Sequence, residues 1–235
     1  MHADETMSLW EHLEDLRWVL IKSIAVLGVT TAVGFIGSRR LWPLVEYLLH
    51  RVEGQIEVIY TAPLEAFIVW LKVAFMIGIV LAVPFVLFFV WRFVEPALHS
   101  KERKLALWAI VAGTLCFFAG VALGYGVLFA TIGFLVSVGF EDIRHLWSLQ
   151  AFVTFCFRVM LAFGAVFELP VILVILGLAG VIESKTLAKW RPYALIAAFV
   201  MAALLTPVDP FSQLLLAVPL VLAYEGSVLI VRVAE

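Results

Sequence analysis

The sequence predicts an all-α, polytopic membrane protein: six transmembrane helices in a bent bundle with a concave face, and both termini in the cytoplasm. The first observation is composition, since 64% of the residues are hydrophobic, only 14% are charged, and the mean hydropathy is +1.10. A soluble domain is usually about one quarter charged. The second observation is that apolar residues form runs close to the ~20 residues that a helix needs to cross a bilayer. We therefore expect residues 1–235 to form a single integral membrane domain.

Six apolar runs give the predicted transmembrane helices. They cover residues 18–37, 66–90, 105–135, 151–178, 193–205 and 211–231. The fifth run is short, roughly 20 Å of helix at 1.5 Å per residue. That span either begins earlier, around Trp190, or crosses a thinned bilayer. Spanning strands are not expected, because the chain lacks the repeated period-two alternation of a membrane β-barrel.

Proline stands inside three of the predicted spans, at Pro84, Pro170 and Pro219. Proline removes a backbone donor and bends a helix, so we expect these spans to be kinked. Bent helices that pack together tend to leave a concave face, which is the reason for the predicted shape of the bundle.

The distribution of Lys and Arg predicts the orientation. With six spans the two termini share one side of the membrane, and the side richer in Lys and Arg is the cytoplasmic one. The terminal side holds Arg17, Lys22, Arg92, Lys101, Arg103, Lys104, Lys185, Lys189, Arg191 and Arg232. The opposite side holds Arg39, Arg40, Arg51 and Arg144. Both termini are therefore predicted to be cytoplasmic.

The segment before the first span is acidic. Ser8 and Glu11 form a capping box, which predicts that a helix begins there. Leucines recur at helical spacing over residues 9–20, which places Glu14 and Asp15 on the opposite face of this helix. The apolar stripe can then lie on the membrane while the carboxylates face the cytoplasm.

The loop after the second span adds Glu95 and Glu102 on the same side. Two interpretations of these acids stay open. They are solvated helix ends, with Glu14 pairing with Arg17 one turn along the helix. Alternatively, two acidic patches face each other and bind a guanidinium partner, since Arg offers a planar donor fork that carboxylates accept.

Ionisable residues inside the spans are the remaining candidates. Glu168 lies within the fourth span, where an ionised carboxylate costs several kcal/mol unless it is paired or hydrated. It is a functional residue or a protonated glutamate hydrogen-bonded across helices. Arg158 lies about 15 Å away along the same helix, too far to pair directly. Glu65 and Lys72 share one face near the outer end of the second span, where we expect them to snorkel.

Four motifs occur together between about Ser8 and Arg232. They are HLEDLR at 12–17, FVEPALHSKERKL at 93–105, FELP at 167–170 and TPVDPFSQ at 206–213. In this order and spacing they resemble the TatC family, the core of the twin-arginine protein translocase. The resemblance implies a receptor for signal peptides with consecutive arginines and a scaffold for single-span TatA and TatB partners. It also implies self-association in the complex, and export of folded proteins driven by the proton-motive force.

The resemblance further implies which residues bind the signal peptide. An acidic residue of the first motif corresponds to Asp15, and a glutamate of the first cytoplasmic loop corresponds to Glu102. The family usually has glutamate where Asp15 stands, so the carboxylate here is one methylene shorter and the neighbouring Glu14 is the alternative. Arg17 and Glu95 belong to the same two motifs and complete the predicted site.

The other two motifs imply intramembrane and docking residues. The resemblance places Glu168 on the concave face, and Glu225 is expected to face the same concavity. Thr206, Asp209 and Gln213 are expected to receive the transmembrane helix of a partner. Asp209 has a second interpretation as the N-cap of the sixth span.

Other classes of function fit less well. An intramembrane hydrolase needs a nucleophile and a base, or metal ligands, at membrane depth, but the histidines lie at span ends or in loops. Neither HExxH nor GxxxxGK[ST] occurs. We expect no enzymatic activity, cofactor, metal or nucleic-acid partner. A small ion-coupled secondary transporter that uses Glu168 and Arg158 is the alternative. The absence of a transit-peptide-like extension favours a prokaryotic plasma membrane.

Overall fold

The computed structural model describes residues 9–52, 56–94, 105–137, 146–178, 180–205 and 210–234. Within these ranges the chain forms eight helices and two short strands. In order they are α1 (Leu9–Val52), β1 (Glu57–Ile59), α2 (Glu65–Val94), α3 (Leu105–Ser137), β2 (Leu146–Ser148), α4 (Leu149–Val166), α5 (Glu168–Leu178), α6 (Ser184–Lys189), α7 (Arg191–Leu205) and α8 (Pro210–Ala234).

Among the residues that the structure describes, five stretches are long and apolar enough to cross a membrane. They are Leu13–Gly37, Glu65–Phe93, Ile110–Ser137, Leu149–Gly177 and Gln213–Val233. Their positions match the first four predicted spans and the sixth, so the prediction of an all-helical membrane protein is confirmed. The fifth predicted span corresponds to α7, whose apolar part Arg191–Leu204 is shorter. This helix begins directly after Trp190, which is the earlier start that one of the two alternatives required.

The first helix extends well past the predicted span. α1 contains 44 residues, and its length of about 66 Å is roughly twice the thickness of a bilayer core. Its last turns pack Val45 and Leu48 into the main hydrophobic core, which also holds Val69 of α2, Leu128 of α3 and Phe152 of α4. The core therefore lies toward the end of the bundle where α1 ends.

Glycines allow neighbouring helices to approach closely. A Cβ atom added to Gly34 of α1 would come within 2.5 Å of the Ala74 carbonyl oxygen of α2. A Cβ added to Gly120 of α3 would lie 2.5 Å from the Phe163 carbonyl oxygen of α4, and Gly124 faces the same phenylalanine. Small residues at such contacts let backbones pack directly in a membrane. Both helix pairs run antiparallel.

One of the three prolines interrupts its helix. α4 ends at Val166, Phe167 makes a turn, and α5 begins with the next residue. Pro170 explains the break, because it cannot donate to the Val166 carbonyl and its ring clashes with that group. Pro84 and Pro219 lie inside α2 and α8, which continue through them.

A small sheet joins two loops at one end of the bundle. β1 and β2 pair in parallel, with Glu57 opposite Leu146 and Ile59 opposite Ser148. The sequence predicts helices alone, so this pair of strands is an addition to the predicted fold. We call this end of the bundle the sheet end, and the opposite end, where α1 begins, the N-terminal end.

Candidate functional site

The acidic residues predicted in α1 lie exposed at the N-terminal end. Glu14, Asp15 and Arg17 are all accessible. None of the three forms an ion pair with another residue that the structure describes, so the predicted pairing of Glu14 with Arg17 is not present. α1 begins at Leu9, at the place where the capping box predicts a helix start, although Ser8 itself lies outside the described residues.

Asp15 faces a groove of about 320 Å³ between α1 and α2. This α1–α2 groove is lined by Asp15, Trp18, Val19, Lys22, Phe89, Arg92 and Phe93. Residues three or four apart share one face of a helix, which explains why Asp15, Trp18 and Lys22 all face α2. Glu14 lies about 100° around the helix from Asp15 and is not part of the lining.

Four predicted site residues are not placed by the structure. Glu95 and Glu102 of the signal-peptide site, and Thr206 and Asp209 of the docking site, lie outside the described residues. Gln213, the third residue of the predicted docking site, is half-buried near the start of α8. Its Nε2 donates a hydrogen bond of 3.1 Å to the Phe199 carbonyl of α7. Gln213 thus joins the two last helices near the sheet end.

Glu168 is the first residue of α5 and lines a cavity of about 430 Å³ between α1, α2, α3 and α4. The rest of the lining is apolar except for Ser23. The Oε1 atom is buried without a hydrogen-bond partner among the described residues. Oε2 lies against α3, where a Cβ added to Gly113 would come within 2.9 Å of it. Glu168 therefore forms no hydrogen bond to another helix among the residues that the structure describes, which was the structural alternative for this residue.

Glu225, the second intramembrane carboxylate of the prediction, has a partner. Its Oε2 lies 2.8 Å from Nη2 of Arg191, at the start of α7. The neighbouring Tyr224 hydroxyl donates to the Leu187 carbonyl of α6 at 2.7 Å. Glu225 does not line the cavity of Glu168. These two side chains of α8 instead connect it to α6 and α7 toward the N-terminal end.

A further carboxylate, Glu65, is buried at the sheet end. It is the first residue of α2 and only 1% exposed. Its Oε2 accepts hydrogen bonds from the Thr61 amide at 2.5 Å, the Thr61 hydroxyl at 2.8 Å and the Ala62 amide at 3.1 Å. Its Oε1 accepts from the Ser148 hydroxyl at 2.5 Å and the Gln150 amide at 2.7 Å. The expectation that Glu65 snorkels is wrong, because the side chain points into the protein.

Lys72 and Ser148, the N-cap residue of α4, form further hydrogen bonds between α2 and α4 or within α4. Lys72 Nζ donates to the Thr154 hydroxyl of α4 at 2.7 Å, so this side chain also bridges two helices. Ser148 caps α4 by accepting from the Ala151 amide at 3.3 Å while it donates to Glu65. Glu65 and Ser148 therefore connect the start of α2 to the start of α4.

The family follows from comparison with known proteins. The family model described as Sec-independent protein translocase protein (TatC) matches residues 11–219. The chain belongs to the TatC family. Among its relatives is the TatC protein of Aquifex aeolicus, 31% identical over 97% of this chain and 96% of the relative. The TatC protein of Escherichia coli is 33% identical over 99% of this chain and 91% of the relative.

The fold of a solved TatC protein agrees with this assignment. A crystal structure described as the twin-arginine translocase receptor TatC superposes with a TM-score of 0.84 and 32% identity, covering 95% of this chain and 99% of the other. This TatC-family protein is a Sec-independent protein translocase component with several apolar helices, and it is not an enzyme. The comparisons give no support to an ion-coupled transporter.

The burial of Glu65 and its hydrogen bonds are what the sequence analysis of this TatC-family protein missed, although part of this environment has a local signal. Because proline is favoured at the first position of a helix, the sequence around Pro63 predicts Ala62 as N-cap and Glu65 as the third helical residue, although α2 itself begins at Glu65. A glutamate there reaches back to the N-cap amide, as the bond from Ala62 shows. No such signal exists for Ser148 and Gln150, which lie at the end of β2 and the start of α4.

Proposed function

We propose that this protein is the receptor subunit of a twin-arginine translocase and binds twin-arginine signal peptides at an acidic surface on its N-terminal end. The surface comprises Asp15 or Glu14 with Glu102, and Arg17 and Glu95 belong to the same motifs. The observation that carries the proposal is the state of Asp15, which is exposed, has no ion-pair partner among the described residues and faces a groove. Family membership supports it.

The chemistry favours arginine over lysine. A guanidinium group presents donors in a planar fork that a carboxylate accepts through two parallel hydrogen bonds, whereas an ammonium group is a strongly hydrated point charge. Asp15 is better placed than Glu14, because it lies on the face of α1 that is turned to α2. The shorter side chain of Asp15 is then long enough, because a peptide bound in the α1–α2 groove lies next to its carboxylate.

Binding of a twin-arginine signal peptide and of its twin-lysine counterpart to the purified protein tests the proposal. The variants are Asp15→Asn, Glu14→Gln and Glu102→Gln, with Glu183→Gln as the control, since Glu183 is an exposed carboxylate at the same end. We expect wild type and the control to prefer arginine, and this preference to fade in Glu102→Gln and in Asp15→Asn. Equal binding of both peptides in all variants would overturn the receptor proposal.

The proposal includes six spans, cytoplasmic termini and a prokaryotic plasma membrane. Its support is the excess of Lys and Arg at the N-terminal end and the even number of apolar stretches, six among the described residues once α7 is counted. A protease-cleavable tag placed after Glu235 tests it in intact spheroplasts. Cleavage from the outside would show that the C-terminus is not cytoplasmic.

We also propose that the region of Thr206, Asp209 and Gln213 receives the transmembrane helix of a TatA- or TatB-type partner, for export of folded proteins driven by the proton-motive force. Gln213 supports this docking role only in part, because its side-chain amide already donates a hydrogen bond to the Phe199 carbonyl of α7. Its carbonyl oxygen makes no hydrogen bond to a described residue and is available to a partner. Gln213→Glu keeps an acceptor, whereas Gln213→Leu removes it. Co-purification of a single-span partner should survive better in the first variant, and equal recovery would contradict the role of Gln213.

A further inference from the structure

Two cationic side chains enter the α1–α2 groove from opposite walls. Lys22 comes from α1 and Arg92 from α2, and both are exposed. Neither forms a salt bridge with another residue in the part of the chain that the structure describes. We propose that these two side chains bind the phosphate of an anionic phospholipid, in the leaflet that lies at the N-terminal end. Lys22 lies about 10 Å along α1 from Asp15, so the proposed phosphate site and the proposed signal-peptide site occupy different levels of the same groove.

The register of the two helices brings the cations together. Thr31 of α1 contacts Gly78 of α2. In an antiparallel pair, nine residues back from Thr31 along α1 correspond to nine residues forward from Gly78 along α2, so Lys22 lies level with Leu87. Arg92 is five residues further along α2 and therefore lies roughly 7 Å closer to the N-terminal end. Cα–Cβ bonds tilt toward the start of their own helix. Lys22 therefore leans toward the N-terminal end and Arg92 leans away from it, so the two charged groups converge between these levels.

The depth of the groove suits a lipid headgroup. Lys22 lies inside the apolar stretch Leu13–Gly37, and Arg92 lies at the very end of Glu65–Phe93. Long cationic side chains in such positions extend to the headgroup layer. Trp18 is half-exposed beside them, and tryptophan prefers this interfacial layer. Basic pockets between transmembrane helices are typical binding sites for anionic headgroups.

The surroundings favour a lipid over a soluble anion. Aromatic rings of Trp18, Phe89 and Phe93 line the groove beside the two cations. Phe88, next to the groove, is exposed at 46% and offers contact to acyl chains. Asp15 is the acidic member of the lining, but it lies about 10 Å along α1 from Lys22, on the side away from the membrane. A phosphate between Lys22 and Arg92 is thus separated from this carboxylate.

Lipid retention by the purified full-length protein tests the proposal. Native mass spectrometry would count phosphatidylglycerol and phosphatidylcholine of identical acyl chains on the wild type, Lys22→Gln, Arg92→Gln and the double variant. Each single variant should lose about fivefold in preference for phosphatidylglycerol, and the double variant about 25-fold. Lys22→Arg should retain the preference because it keeps the charge. Lys189→Gln, an exposed cation at the same end, should bind like wild type.

Three outcomes would overturn the assignment. The first is an unchanged preference for phosphatidylglycerol in a double variant that unfolds at the same temperature as the wild type. The second is an equal loss in Lys189→Gln, since the preference would then come from the general charge of this end of the protein. The third is release of phosphatidylglycerol by excess inorganic phosphate, which would make the groove a site for soluble anions. Signal-peptide binding, measured separately, tests a different claim.

Discussion

Glu65 and Glu168 are the same residue type, each at the first residue of a helix and turned into the protein, but their surroundings are opposite. Glu65 lies at the sheet end and accepts five hydrogen bonds, from the segment before α2 and from the junction of β2 and α4. Glu168 lies inside the stretch Leu149–Gly177, and its buried Oε1 has no partner among the described residues. One carboxylate is saturated with donors and the other faces an apolar cavity.

We interpret this difference as one between a carboxylate that stabilises the fold, Glu65, and a carboxylate proposed to serve function, Glu168. A buried carboxylate with several donors is stabilised by them, and its loss leaves those donors unpaired. A carboxylate in a membrane without partners destabilises the isolated protein and is retained for another reason. The proposed reason at Glu168 is contact with polar side chains of a partner or with water in the cavity. The following predictions test this contrast, from the largest expected effect to the smallest.

Replacing Glu65 by leucine should have the largest effect on stability. The change leaves the amides of Thr61, Ala62 and Gln150 without their acceptor, and we expect a loss of roughly 3 to 5 kcal/mol in the free energy of unfolding. Unfolding of the purified protein by SDS titration measures it. Glu46→Leu, which changes an exposed glutamate of α1, is the control and should be close to neutral. An unaltered unfolding curve for Glu65→Leu would show that the network does not stabilise the fold.

Replacing Glu168 should impair export but not stability. Glu168→Ala removes a carboxylate that makes no hydrogen bond within the described residues, so its unfolding curve should match wild type or shift to higher stability. Export of a folded reporter into membrane vesicles should fall, and it should fall less in Glu168→Gln, which can still hydrogen-bond. Equal loss in both variants would show that charge matters and hydrogen bonding does not. If Glu168→Ala destabilised the protein as much as Glu65→Leu, the two carboxylates would not differ in their contribution to stability.

Gly113→Ala should reproduce part of the export defect of Glu168→Ala while Glu168 itself is left unsubstituted. The new Cβ would lie 2.9 Å from Oε2 of Glu168 and 3.1 Å from Leu87, so the carboxylate has to turn away from α3. We expect vesicle export to fall, but by less than in Glu168→Ala. Gly126→Ala in the same helix is a matched control, since nothing lies within 4 Å of its added Cβ. Indistinguishable export by the two glycine variants would mean that the orientation of Glu168 against α3 is unimportant.

Ser148→Ala should have the smallest effect. It removes one of the five hydrogen bonds to Glu65 and the side-chain cap of α4, and we expect a loss of about 1 kcal/mol in the free energy of unfolding. The same SDS titration measures it. A loss as large as that of Glu65→Leu would show that the carboxylate depends on this single donor.

The sequence predicts the apolar helices well because hydropathy is a local property. Runs of apolar residues place the stretches that become α2, α3 and α8 within a few residues, and Pro170 marks the break before α5. The continuation of α1 to Val52 was not predicted, since Arg39 and Arg40 interrupt the apolar run while the helix continues through them. The short β1–β2 pair was not predicted either, because each strand is only three residues long and is formed by pairing with the other.

In the candidate site, too, the sequence indicated some features and missed others. Motifs in the sequence indicated Asp15 and Glu168 as candidates, and the structure shows both in concave surroundings. Glu225 was grouped with Glu168 because both are acidic residues inside spans. Its partner Arg191 was unknown, since the two lie on different helices and meet only through the packing of α7 against α8.

The sequence by itself determined that this protein belongs in a membrane, where its helices begin and end to within a few residues in most cases, and which family it resembles. These depend on residue type, local spacing and short motifs, all of which can be read along the chain. Only the tertiary structure decided that Glu65 is saturated by donors while Glu168 is not, and that Lys22 and Arg92 share a groove. Such differences depend on which remote segments meet, because the Glu65 donors Ser148 and Gln150 lie at the junction of β2 and α4, more than 80 residues away. The residue type alone does not distinguish Glu65 from Glu168, because their difference comes from the groups that surround each carboxylate.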